Sequence, residues 1–99
     1  MPDQCLQQIA EAVCAEMGGR PSDLLGSTRG SPADALRRWV AIHFYSRAHP
    51  LANYTRLGEV FGRNRTSARY ALDQVQSRAA RSSHLRGQMQ RIDRALRRR

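Results

Sequence analysis

Arg63, Asn64, Arg65, Thr66, Ser67 and Arg69 crowd polar, hydrogen-bonding side chains into one short stretch. Each type has a natural partner on a base edge or a phosphate. An arginine fork matches the two major-groove acceptors of guanine, an asparagine amide matches adenine, and threonine can touch the thymine methyl. A helix start adds free backbone N–H groups, which favour phosphate. The chemistry this cluster implies is recognition of a polyanion.

The elements that must position it lie between Asn53 and Gln76. The spacing predicts a short helix over Tyr54 to Phe61, with Leu57, Val60 and Phe61 at i, i+3 and i+4 on one face. Gly58 leaves room for the second helix to come close. Gly62 ends the first helix, because glycine takes a left-handed backbone cheaply. Asn64 stands where an N-cap belongs. The helix it opens turns Ala68, Ala71, Leu72 and Val75 inward. This is the order of parts in a helix-turn-helix, whose second helix enters the DNA major groove by its N-terminal residues. The plainer alternative is a solvated, arginine-rich turn between two bundle helices.

Charge weighs on that choice. The chain has 99 residues and a formal net charge of +9. Residues 1–62 hold six arginines and six acidic residues, while residues 63–99 hold eleven arginines against Asp73 and Asp93, which is the whole excess. Such asymmetry points to a polyanionic partner. All 17 basic residues are arginine, but a uniform bias of this kind carries no weight on its own. The length fits one domain with a modest core. No apolar run approaches the roughly 20 residues of a membrane span, and Met1 to Met17 lacks a signal-peptide pattern. The expected location is the cytoplasm, with the nucleoid, and no membrane partner is expected.

An all-α fold follows from the pattern of the whole chain. A first helix over about Asp3 to Met17 carries Leu6, Ile9, Ala10, Val13 and Met17 as one apolar stripe. Cys5 and Cys14, nine positions apart on that helix, face opposite ways and cannot bridge. Pro21 to Leu25 reads as a helical turn, and Gly26 to Gly30 as a loop containing Arg29. Ser31, Pro32 and Asp34 then form a helix start: N-cap, first-position proline and first-turn acid. That helix runs to about Ala48, with Leu36, Trp39 or Val40, and His43 or Phe44 at core spacing. Trp39, Phe44 and Tyr45 also invite comparison with stacking platforms for single strands, but their helical spacing favours the core. A break or kink is expected at Arg78 to Ser83. A last helix follows, about Ser83 to Arg97, with Leu85, Met89, Ile92 and Leu96 in a narrow stripe amid arginines. The organisation expected is a domain over residues 1–81 and a basic amphipathic helix over 82–99. That last stripe can pack on the domain, pair with a second copy, or extend along DNA; the sequence does not choose.

No catalytic constellation is present: no phosphate loop with lysine, no acidic pair in an apolar setting, no useful Ser/His/Asp spacing. His43 and His49 lack partners at ligand spacing, so no metal or cofactor is expected. No enzyme activity and no small-molecule substrate are expected either.

Three segments in order resemble the C-terminal DNA-binding domain of the bacterial replication initiator DnaA, a Trp-repressor-like helix-turn-helix. They are I-A-E-A-V-C-A-E-M-G-G-R-P-S-D-L-L-G-S-T-R, L-R-R-W-V-A-I-H-F and L-G-E-V-F-G-R-N-R-T-S-A-R-Y-A, spread over about Ile9 to Val75. The resemblance implies base contacts from Arg63, Asn64, Arg65, Thr66 and Ser67, with Arg29 in the minor groove. It implies phosphate contacts from Arg38 with its neighbour Arg37, and from Tyr54 and Thr55. Arg56 and Arg69 extend that phosphate set.

The departures alter the chemistry. One glycine of the family's pair is missing at Gly62. Asn64 stands for Asp, Arg65 for His, Ser67 for Thr and Ala68 for Val. The family's preferred DNA sequence therefore does not transfer. Nor does the chain contain an ATPase module. A regulator of transcription is expected, of phage or mobile-element type or as one domain of a larger protein. The alternatives are a replication-related binder without ATPase activity and an adaptor that docks a protein such as RNA polymerase through the last helix. RNA is a poorer partner, since a helix cannot enter the narrow major groove of an A-form duplex.

Overall fold

Apolar stripes of helical period need a common surface to cover them, and α3 supplies it. In the computed structural model, which describes residues 4–25 and 32–98, six helices are present: α1 (Gln4–Met17), α2 (Pro21–Leu25), α3 (Pro32–Ala48), α4 (Tyr54–Val60), α5 (Arg65–Arg81) and α6 (Ser83–Arg97). No strand occurs among the described residues, so the domain is all-α. Arg29 and the proposed cap Ser31 lie outside the described residues.

The long helix α3 packs against α1, α2 and α5. Val40, Ala41, Ile42, Phe44 and Tyr45 are all buried, so its inward surface is wider than one narrow stripe. Trp39 and His43, offered above as alternatives to Val40 and Phe44, end up half-buried beside them. From α1 come Ile9, Ala10 and Val13 as expected, joined by Ala12 and Cys14. Each large aliphatic side chain sealed here contributes about 1.5–3 kcal/mol. Burial pushes the Cys14 thiol above its ordinary range, a rise opposed by Arg37. Cys14 therefore packs as a neutral thiol, and neither cysteine forms a disulfide.

The predicted break at Arg78 to Ser83 shrinks to one residue. Helix α5 continues through Ala79 and Ala80 to Arg81, both strong helix formers. Only Ser82 is extended, at φ −127° and ψ 107°, and its hydroxyl accepts from the Leu85 N–H at 3.1 Å to open α6. The α6 stripe folds back on the domain. Leu85 and Ile92 are buried in the same core as α1 and α3, with Met89 and Leu96 packed at its edge.

Arginines fasten these joints. Arg86 donates to the carbonyls of Ala79 and Ala80 at 2.6 and 3.3 Å, satisfying the end of α5. Arg91 pairs with Glu16 and ties α6 to α1. Arg37 donates from Nε to the Met17 carbonyl at 3.0 Å and from Nη1 to Asp34 at 2.7 Å. Its guanidinium lies against Gly18 and Gly19, both left-handed, which turn the chain out of α1.

His43 sits edge-on to Phe44, with ring centroids 5.2 Å apart. Burial first, and Arg47 second, hold its pKa below the ordinary value. The unfolded chain therefore binds a proton that the folded chain refuses. Stability from this residue is full above about pH 6.5 and falls as pH drops below it. Urea unfolding should show a falling midpoint between about pH 7 and 5.5, and His43→Gln should flatten that dependence; an unchanged slope in the variant would remove His43 as its source.

Candidate nucleic-acid interface

The start of α5 is set by backbone geometry. Helix α4 ends in a Schellman turn: the Arg63 N–H reaches the Gly58 carbonyl at 2.6 Å, and the Gly62 N–H reaches Glu59 at 3.2 Å. Gly62 supplies the left-handed residue at φ +66°. Gly58 supplies room. A Cβ there would stand 2.6 Å from the Arg63 oxygen and 2.7 Å from the Asn64 carbonyl carbon. So Gly58 admits the turn itself, closer in than the second helix for which the sequence reserved it. Phe61, fully buried, anchors the turn below, its ring edge-on to Tyr45 at 5.8 Å.

Asn64 then caps α5 as expected. Its Oδ1 accepts from the Ser67 N–H at 2.8 Å, leaving its amide NH2 as the group it can offer outward. Asn53 does the same for α4, accepting from the Arg56 N–H at 2.9 Å. Arg65, Thr66, Ser67 and Arg69 are exposed along the first turns of α5. Tyr54, Thr55 and Arg56 are exposed at the start of α4, where Arg56 makes only a loose, solvent-exposed pair with Glu59 at 3.7 Å. These two helix starts belong to elements packed directly together.

Three arginines assigned to DNA rest against the protein itself in the free chain. Arg37 is committed to Met17 and Asp34, a structural role where a phosphate contact was expected. Arg38 is buried, at 8 % exposure. Arg63 does not project with Arg65. Its guanidinium folds back towards α3, with Nε and Nη2 closed to solvent and without a hydrogen-bond partner among the described residues. Arg29, expected in the minor groove, lies outside the described residues.

Arg63 and Arg38 share a cleft of about 410 Å3 with Trp39, Thr66, Ser67 and Tyr70. Trp39 meets the Tyr70 ring edge-on at 5.6 Å and carries Arg78 above its face at 5.2 Å. The sequence reading missed Tyr70. Its place one helical turn after Thr66 and Ser67 was the available signal. Burial and the neighbouring charge of Arg63 lower the pKa of Arg38, against a raising effect from Asp34.

No protein-family model matches the chain, and no curated protein matches it. What the surface can do rests on its own geometry. That geometry is a rigid helix start bearing forked and hydroxyl donors beside a cationic cleft. Among the described residues, no group of three His, Cys, Asp or Glu side chains is placed to hold a metal ion, and no helix is long and apolar enough to cross a membrane.

The two turn glycines make separable predictions. Gly62→Ala meets no atom within 4 Å, so its cost is the left-handed backbone alone, about 1–2 kcal/mol. Gly58→Ala must force two backbone segments apart and should cost more, about 3 kcal/mol, while displacing the start of α5. Thermal melting ranks the two, and an equal or smaller loss for Gly58→Ala would contradict the close approach.

Proposed function

We propose that this domain binds double-stranded DNA, placing the start of α5 in the major groove, and that it acts as a regulator of transcription. The observation that carries this reading is the exposed row Arg65, Thr66, Ser67 and Arg69 on the opening turns of a 17-residue helix whose approach is fixed by the Gly58–Gly62 turn. Arg65 is the best-placed reader of guanine, and the free amide of Asn64 can serve a base acceptor. Tyr54, Thr55, Arg56 and Arg69 are assigned to phosphate. The resemblance to the DnaA DNA-binding domain supports the same orientation and makes a replication-related role the first alternative.

The charge distribution supports a polyanion as well, although not every arginine of α6 has its guanidinium free to grip one. Arg86 and Arg91 are spent on helix joints, and Arg97 pairs with Asp93 at 3.0 Å. Arg94 and Arg98 remain exposed. The adaptor reading loses most of its surface, because Leu85 and Ile92 are buried in the domain's own core. Only the arginine-bearing side of α6 is left to meet a protein.

Selection of bound sequences from random duplex DNA, at a stated salt near physiological, tests the reading. A sharp motif is expected. Binding without enrichment would leave only non-specific charge and overturn specific recognition. Within that experiment, Arg65→Ala should cost about 1–3 kcal/mol and relax the choice at one position. Arg94→Gln should weaken all sequences alike and flatten the salt slope by about one unit. Arg37→Met should lower the melting temperature and leave the affinity of the folded protein unchanged; a lost salt-slope unit there would restore it as a phosphate contact.

A further inference from the structure

The cleft between α3 and α5 holds two guanidinium groups at close quarters. Arginine keeps its charge under working conditions, so the pair cannot relieve itself by deprotonation. Asp34 offsets part of the charge of Arg38. The side chain of Arg63 has no hydrogen-bonding or ion-pairing acceptor among the described residues, although two of its nitrogens are closed to solvent. Donors left unsatisfied in this way raise the energy of the free protein, and like charges in a partly dry wall add to it. An anionic group with several acceptor oxygens on one tetrahedral centre would remedy both faults at once.

We propose that this cleft is a seat for a phosphate-type oxyanion, gripped by Arg38 and Arg63 and hydrogen-bonded by the hydroxyls of Thr66 and Ser67. Arg63 turns from the wall into the cleft when the anion arrives, exchanging unsatisfied nitrogens for charge-assisted bonds. The positive end of α5 adds to the attraction. Trp39 and Tyr70 also line the cleft. The oxyanion has two sources, a free phosphate compound or a DNA backbone phosphate; only the second rests on the function proposed above.

Trp39 is the one tryptophan of the chain, so its fluorescence reports the cleft directly. The protein is titrated with inorganic pyrophosphate against sodium chloride at matched ionic strength, and separately with duplex DNA. Wild type, Arg63→Gln and Ser67→Ala are compared, each with a melting curve. A saturable response to pyrophosphate, lost in Arg63→Gln and weakened in Ser67→Ala, supports the seat with a free anion as its source. A response to duplex alone, with affinity lowered about tenfold by Arg63→Gln, supports it with a backbone phosphate as its source. In both cases Arg63→Gln should melt at or above the wild-type temperature, because it removes a like charge that the free protein keeps at a cost. Melting well below wild type, or failing to fold, would mean Arg63 is a structural prop and overturn the seat. So would the absence of any Arg63-dependent Trp39 response. Duplex affinity unaffected by Arg63→Gln, without a pyrophosphate response, sinks the seat and leaves DNA binding standing. A pyrophosphate response without duplex binding does the reverse.

Discussion

The missing side chain at Gly58 is the constraint on which the exposed surface depends. A Cβ at that point would overlap the backbone of Arg63 and Asn64, so the chain leaving α4 can fold across its own helix only because nothing projects there. The 2.6 Å bond from the Arg63 N–H to the Gly58 carbonyl fixes the distance, and Gly62 fixes the hand. Phe61, held between α4 and α3, removes the remaining freedom. Asn64 is thereby delivered to the cap of α5. Side chains on the next turns inherit a rigid orientation, which recognition of a defined surface needs.

A second consequence concerns arginine. A guanidinium offers five donors and a permanent charge, so one residue type serves three purposes in this domain. Arg37 and Arg86 satisfy helix-end carbonyls, and Arg91 bridges two helices. Arg65, Arg69 and Arg94 face solvent. Arg38 and Arg63 stand in the wall of a cleft. Net charge counts all of these alike. The formal +9 therefore does not say which guanidinium groups are free to make new hydrogen bonds; exposure does, and it picks out Arg65, Arg69 and Arg94.

How legible this was in the sequence depended on whether a local rule governed the feature. The cap at Asn64 and the glycine at 62 obey short-range geometry, so α4 and the start of α5 lie within a residue of expectation. The end of α5 did not, because the apolar stripe read from the sequence stops at Val75, while Ala79 packs at the edge of the core and Arg86 takes up the last carbonyls. Spacing also could not tell which way Arg63 turns. A residue just before a helix can project outward or fold back, and the choice belongs to α3, far away in sequence. Tyr70 was missed for the same reason: its partner Trp39 is on another helix.

The fate of Arg63 bears on how binding and stability are linked. A side chain that is poorly satisfied in the free protein and well satisfied in a complex lowers stability before binding and raises affinity afterwards. Stability is marginal, about 5–15 kcal/mol for an ordinary domain, so such a feature persists only where the remaining packing can carry it. Here the carrying elements are identifiable. The Phe61 anchor, the α3 core and the α6 brace through Leu85, Ile92 and Arg91 lie on independent helices, and none of them needs Arg63. The α6 brace covers α1 from outside, adding apolar burial on a face well away from the cationic cleft lined by α3 and α5.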